Sequence, residues 1–114
     1  MKRTAEARRM AKALADELKS AGDEVGHTLV WSAAEEAIIE QICAETDRKV
    51  HLLALYEEAE DPALMVKLSA EVRLLEGSIA RQLRQVKTEL PAAESSTTVK
   101  ARQAAQSRWG GKGA

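Results

Sequence analysis

The chain has no phenylalanine, one tyrosine and two tryptophans in 114 residues, and without aromatic volume a large globular core is hard to fill. Its single cysteine, Cys43, excludes an internal disulfide and a cysteine-built zinc site, and agrees with a reducing compartment. No run approaches the roughly 18 uncharged residues that a membrane span requires. The opening MKRTAEARRMAKALADEL has charges recurring through it, so it lacks the apolar segment of a signal peptide. A cytoplasmic protein with no membrane partner is expected. Nor is there a glycine-rich phosphate loop, because Gly-Gly-Lys-Gly at 110–113 is followed by no helix that could supply a dipole. Prolines are scarce too: Pro62 and Pro91 are the only two.

What is abundant is Ala, Leu, Glu, Lys and Arg, with 45% hydrophobic and 31% charged residues, a composition suited to long helices packed along stripes. The net charge of −1 hides a segregation. Residues 1–21 carry six Lys or Arg against three acids, residues 22–90 seven against fourteen, and residues 91–114 four against one. Basic ends around an acidic middle suit polyanion-binding ends, or contacts with the acidic middle of a neighbouring copy.

The first predicted helix runs from Lys2 to about Ala21, with a stop at Gly22. Ala7, Met10, Ala11, Leu14, Leu18 and Ala21 share one stripe, and Lys2, Arg8, Arg9, Lys12 and Lys19 lie roughly opposite. Alanines bury little area, so this helix is expected to need docking, and its first turns to fray. After the linker AGDEVGHTLVW, SAAE at 32–35 has the form of a capping box and starts a second helix to about Glu60. Ile38, Ile39, Ile42, Cys43, Thr46, Val50, Leu53 and Tyr56 form its main stripe; Leu52 and Leu55 project from an adjoining sector.

Asp61-Pro62 then restarts the chain. Proline inside a helix costs ~3 kcal/mol, but at the first helical position its missing amide is one no helix uses, and a preceding aspartate caps the free amides. The third helix is expected from Pro62 to about Leu90, with Leu64, Met65, Leu68, Val72, Leu75, Ile79, Leu83, Val86 and Leu90 on one stripe, and a stutter where a strict heptad would use Gln82. The sequence therefore predicts an all-α fold: a long antiparallel helical hairpin with an amphipathic N-terminal helix and a flexible basic C-terminal tail. Residues 1–31 hold the basic helix and linker, 32–90 the hairpin and oligomerisation core, and 91–114 the tail. A hairpin of this size buries too little surface to be comfortable alone, so Leu52, Leu55 and Leu74 are candidate oligomer contacts, or sites for the first helix folding back.

Catalysis finds no support. Cys43 and His51 are eight residues apart, more than ~10 Å along one helix, and a buried packing cysteine is the better reading. His51 is expected to be solvated, and His27 lies in the linker. Glu35, Glu36, Glu40, Asp47, Glu57, Glu58 and Glu60 spread around their helix as a solvated surface would. No catalytic residue, metal or cofactor is expected. Arg8, Arg9 and Lys12 have the chemistry to neutralise phosphates, as do Lys100, Arg102, Arg108 and Lys112, where Trp109 can stack or anchor in a groove.

The runs WSAAEEAIIEQI, DRKVHLLALYEEAEDPALMVKLSAEVRLLEGSIARQLRQV and KARQAAQSRW resemble small terminase subunits of actinobacterial phages and prophages, over about residues 30–109. The specific elements are Asp61-Pro62 followed by KLSAEVRLLEG, and AAQSRW. The resemblance implies a noncatalytic DNA-packaging component whose residues 32–90 assemble a homo-oligomeric ring. It further implies that Arg8, Arg9 and Lys12 face double-stranded viral DNA and that Arg102, Arg108 and Trp109 meet the large terminase subunit. The chain departs from the family pattern at its N-terminus, where no helix-turn-helix is visible. The alternative is a helical scaffold or adaptor that never touches nucleic acid.

Overall fold

The computed structural model describes residues 2–88, which form three helices: α1 (Ala5–Val25), α2 (Ala33–Glu58) and α3 (Pro62–Thr88). The fold is all-α with α2 and α3 paired as a helical hairpin, as the sequence predicts. The expected end of α3 at Leu90 and the expected tail, 91–114, lie outside the described residues. Among the described residues no helix is long and apolar enough to cross a membrane. The chain divides into two compact units, one joining the start of α1 as far as Lys12 to Ala37–Thr88, the other containing Ala13–Glu36.

In the first unit the chain reverses as the proline predicts. Asp61 accepts the Leu64 amide on its Oδ2 at 3.2 Å and the Met65 amide on its carbonyl at 3.0 Å, so it caps α3 with Pro62 in the first helical position. Cross-helix contacts show the direction: Glu45 meets Gln82 and Lys49 meets Glu76, so numbers rise on α2 as they fall on α3. Ile42, Cys43, Leu68, Val72, Ile79 and Val86 are buried in this unit together with Ala7 from α1. Thr46 is buried as well, and its hydroxyl donates to the Ile42 carbonyl at 2.8 Å, which satisfies it on its own helix.

Three expectations here need correction. Leu53 and Leu64, both placed on the main stripes, are 40% and 45% exposed. Each lies within two turns of the reversal, where the helix ends run out of neighbours to pack on. The acids of α2 are not uniformly solvated: Glu45 is buried between the helices, Asp47 is half-buried, and Glu35 is buried within its cap. The helix α1 starts at Ala5, not at the expected Lys2, and its first turn is capped and held on α2. Thr4 is the cap, accepting the Ala7 amide on Oγ1 at 3.1 Å and the Arg8 amide on its carbonyl at 2.9 Å.

In the second unit α1 runs through Gly22 and stops at Gly26, whose φ of 76° is the left-handed conformation that glycine adopts without a Cβ penalty. The His27 amide donates back to the Gly22 carbonyl at 3.0 Å, closing the helix end. Gly22 is buried for a different reason than the expected stop: a Cβ there would lie 2.6 Å from the His27 carbonyl oxygen, where the chain folds back over the helix. Gly→Ala in a helix interior ordinarily gains roughly 0.5–1 kcal/mol. At this position Gly22→Ala is expected to reverse the sign and destabilise by about 1–3 kcal/mol, measured by urea denaturation; a stabilised variant would contradict the close approach. Ser32 and Glu35 form the predicted capping box, the Ser32 amide donating to Glu35 Oε1 at 2.8 Å and the Glu35 amide to Ser32 Oγ at 3.1 Å.

Candidate functional site

The start of α1 is held on α2 by polar contacts. The Thr4 amide donates to Asp47 Oδ1 at 2.9 Å, Arg3 pairs with Glu40, and Ala7 lies against Cys43, whose Sγ is 3.8 Å from the Ala7 carbonyl oxygen. Lys49, mostly buried, sits 3.8 Å from Glu6 of α1 and 3.8 Å from Glu76 of α3, so one ammonium links all three helices. Hydrogen bonds from the Thr4 amide and hydroxyl hold the Asp47 carboxyl below the usual aspartate value of 3.8. Burial pushes the Cys43 thiol up, which keeps it protonated and unreactive.

These two groups make the docking of α1 measurable. A depressed carboxyl contributes stability that is complete above the unfolded value and is lost as pH falls through the lower folded value. The α1 anchor is therefore expected to loosen only below about pH 3.8. At neutral pH, Asp47→Ala removes the acceptor and is expected to raise the rate of Cys43 alkylation at least several-fold, with the helical circular dichroism unchanged. An alkylation rate equal to that of the native chain would mean that Asp47 does not hold α1.

Arg8, Arg9 and Lys12 are all exposed on the side of α1 away from Ala7. Arg8 Nη1 donates to the Arg3 carbonyl at 2.7 Å, Lys12 has an interaction within the chain, and Arg9 has no partner among the described residues. The fold brings together a second group of cations that no sequence pattern marks as a site. The cations Lys2, Arg3 and Arg48, with His51 beside them, rim an open-sided groove of about 740 Å³ beside the α1 start, floored by Ala44, Val50 and Ala54 and lined also by Glu40 and Asp47. The helical period alone cannot reveal it, because it joins residues 2–4 to residues 40–54. The one local signal is Thr4 ahead of Ala-Glu-Ala, a helix-capping pattern.

Of the candidate assembly residues, Leu52 is half-buried, Leu55 is 43% exposed and Leu74 is 66% exposed. Leu55 lies roughly 140° around α2 from Ile42, and Leu74 roughly 160° around α3 from Val72. The two therefore face outward from opposite sides of the hairpin and do not form one patch. The start of α1 docks around Cys43 and Asp47, not on Leu55 or Leu74.

His51 is exposed, as expected, and Cys43 is buried. Among the described residues no group of three His, Cys, Asp or Glu side chains is placed to hold a metal ion. α1 is followed by a turn and an extended stretch rather than by a second short helix. Arg102, Arg108 and Trp109 lie outside the described residues. No family model, curated protein or solved structure matches the chain.

Proposed function

We propose that the chain is a noncatalytic phage DNA-packaging component of the small-terminase kind. In this reading the hairpin assembles copies into a ring, Arg8, Arg9 and Lys12 contact phosphates of double-stranded DNA, and Arg102, Arg108 and Trp109 recruit the large packaging ATPase and nuclease. The reading rests on the resemblance over residues 30–109. The observation that supports it most is that Arg8 and Arg9 are exposed on a helix whose start is pinned to the hairpin. Cations on an anchored element present a fixed pattern to phosphates, whereas a frayed end would have to be ordered on binding.

DNA binding by the purified protein tests it. The logarithm of the affinity should fall linearly with the logarithm of salt concentration, and Arg8→Ala with Arg9→Ala should reduce the slope by about 2 if each arginine neutralises one phosphate. Absence of binding even at low salt would sink the reading. Deleting residues 99–114 should abolish association with the ATPase and leave the oligomers intact.

A helical scaffold or adaptor with no nucleic-acid contact is the second reading. It is favoured by the bond from Arg8 to the Arg3 carbonyl and by the interaction of Lys12 within the chain, since both give these cations a structural task. Absence of DNA binding at low salt selects it, whereas an unchanged salt slope in the double variant would place the phosphate contacts on residues other than Arg8 and Arg9.

A further inference from the structure

We propose that the groove beside the start of α1 receives the hairpin turn of a second copy of this chain. The groove has cations on its rim and apolar surface on its floor; two carboxylates line it as well, but Glu40 is paired with Arg3 and Asp47 accepts the Thr4 amide, which leaves a surplus of positive charge. Neither Lys2 nor Arg48 on that rim has an ion-pair partner among the described residues, whereas Arg3 is paired with Glu40. An occupant that satisfies both rim and floor must be acidic and apolar together.

The hairpin turn has that chemistry. Glu57, Glu58, Glu60 and Asp61 are all exposed there. The last turn of α2 contains no basic residue to offset its carbonyl-rich, partially negative end. Glu57 and Glu58 in the last turn of α2, with Glu60 just beyond it, repel one another and the partially negative helix end, and a cationic partner relieves both, whereas Asp61 is engaged in capping α3. Leu53, Leu55, Leu64 and Val66 flank the turn and are each at least 40% exposed. Of the large exposed hydrophobic residues in this unit, Leu74 alone lies elsewhere.

The turn cannot enter its own groove. Val50 and Ala54 on the floor and Glu57 beyond them lie on one helix, which fixes their separation. The matching surface must come from another copy. Each copy then offers one turn and one groove, so contacts close either as a mutual pair or as a head-to-tail ring. The inference rests on the assembly part of the proposed function and is independent of DNA and of the ATPase. The groove volume also falls within the roughly 300–1,000 Å³ range of small-ligand pockets, so a small amphiphilic anion is the competing occupant.

Sedimentation of the full chain across protein concentration tests the docking. Arg48→Glu should raise the concentration needed for association at least tenfold, and so should Glu57→Lys with Glu58→Lys. All three side chains are exposed, and unchanged helical circular dichroism verifies the fold of each variant. Combining the three substitutions in one chain pairs a cationic turn with an acidic groove and should restore association. Oligomers indifferent to the reversals overturn the docking and leave assembly standing, while a native chain that is monomeric throughout overturns both. Loss of association in the single-surface variants without recovery in the combined chain also overturns it. So does an Arg48→Glu chain that loses binding of a small anion such as pyrophosphate while its mass distribution stays native.

Discussion

Ile42→Ala is expected to lower the stability of the chain by roughly 2–5 kcal/mol. Ile42 is completely buried on α2 and is the largest fully buried side chain among the described residues. Removing its outer carbons subtracts their transfer free energy and leaves a void whose walls belong to rigid helices that cannot close around it. Small domains are stable by only about 5–15 kcal/mol, so the variant should lose a large share of that margin. The urea midpoint should drop by about 1 M or more at a slope of about 1–3 kcal/mol/M. Leu74→Ala, at a side chain 66% exposed, should change stability by only about 0.5 kcal/mol in dilute solution. Equal effects at the two sites would mean that α2 does not face the core through Ile42.

Gln82→Leu is expected to destabilise by about 1.5–3 kcal/mol even though leucine is the better heptad residue. Glu45 is buried and accepts hydrogen bonds from Gln82 Nε2 at 3.0 Å and Gln41 Nε2 at 3.2 Å. Taking Gln82 away strands a carboxylate between two helices with a single partner from its own helix, and an under-satisfied buried charge costs more than an apolar contact returns. Adding Glu45→Met should recover most or all of the loss, because both members of the polar pair are then replaced by apolar volume. The double-variant cycle should therefore show a coupling of about 0.5–3 kcal/mol. Additive effects, or a stabilised Gln82→Leu chain, would show that the two side chains do not meet.

The Gln82 case also marks where sequence reading succeeds and fails. The stutter is visible in the spacing, but its partner is 37 residues away on another helix, and no local pattern announces it. Asp61-Pro62 and Ser32–Glu35 were legible because capping works over three or four residues, within reach of the sequence pattern itself. The sequence pattern puts the end of α1 four residues early, because two glycines compete for it. Which one takes the left-handed conformation depends on the path of the following linker. The docking of α1 through Thr4 and Asp47 spans 43 residues and turns on one carboxylate among many. The exposed cations Arg8 and Arg9 follow from helical periodicity, whereas Lys2 and Arg48 come to share a groove only after α1 has docked.

The scarcity of aromatic side chains has a practical consequence for following unfolding. Trp31 is half-buried within Ala13–Glu36, while none of the buried hydrophobic residues is a tryptophan. In a Trp109→Phe chain, indole emission would be a private optical reporter of that one unit, while far-ultraviolet ellipticity would average over every helix. If the two signals melt at different temperatures, the units unfold separately; if they superimpose, the molecule behaves as a single cooperative body.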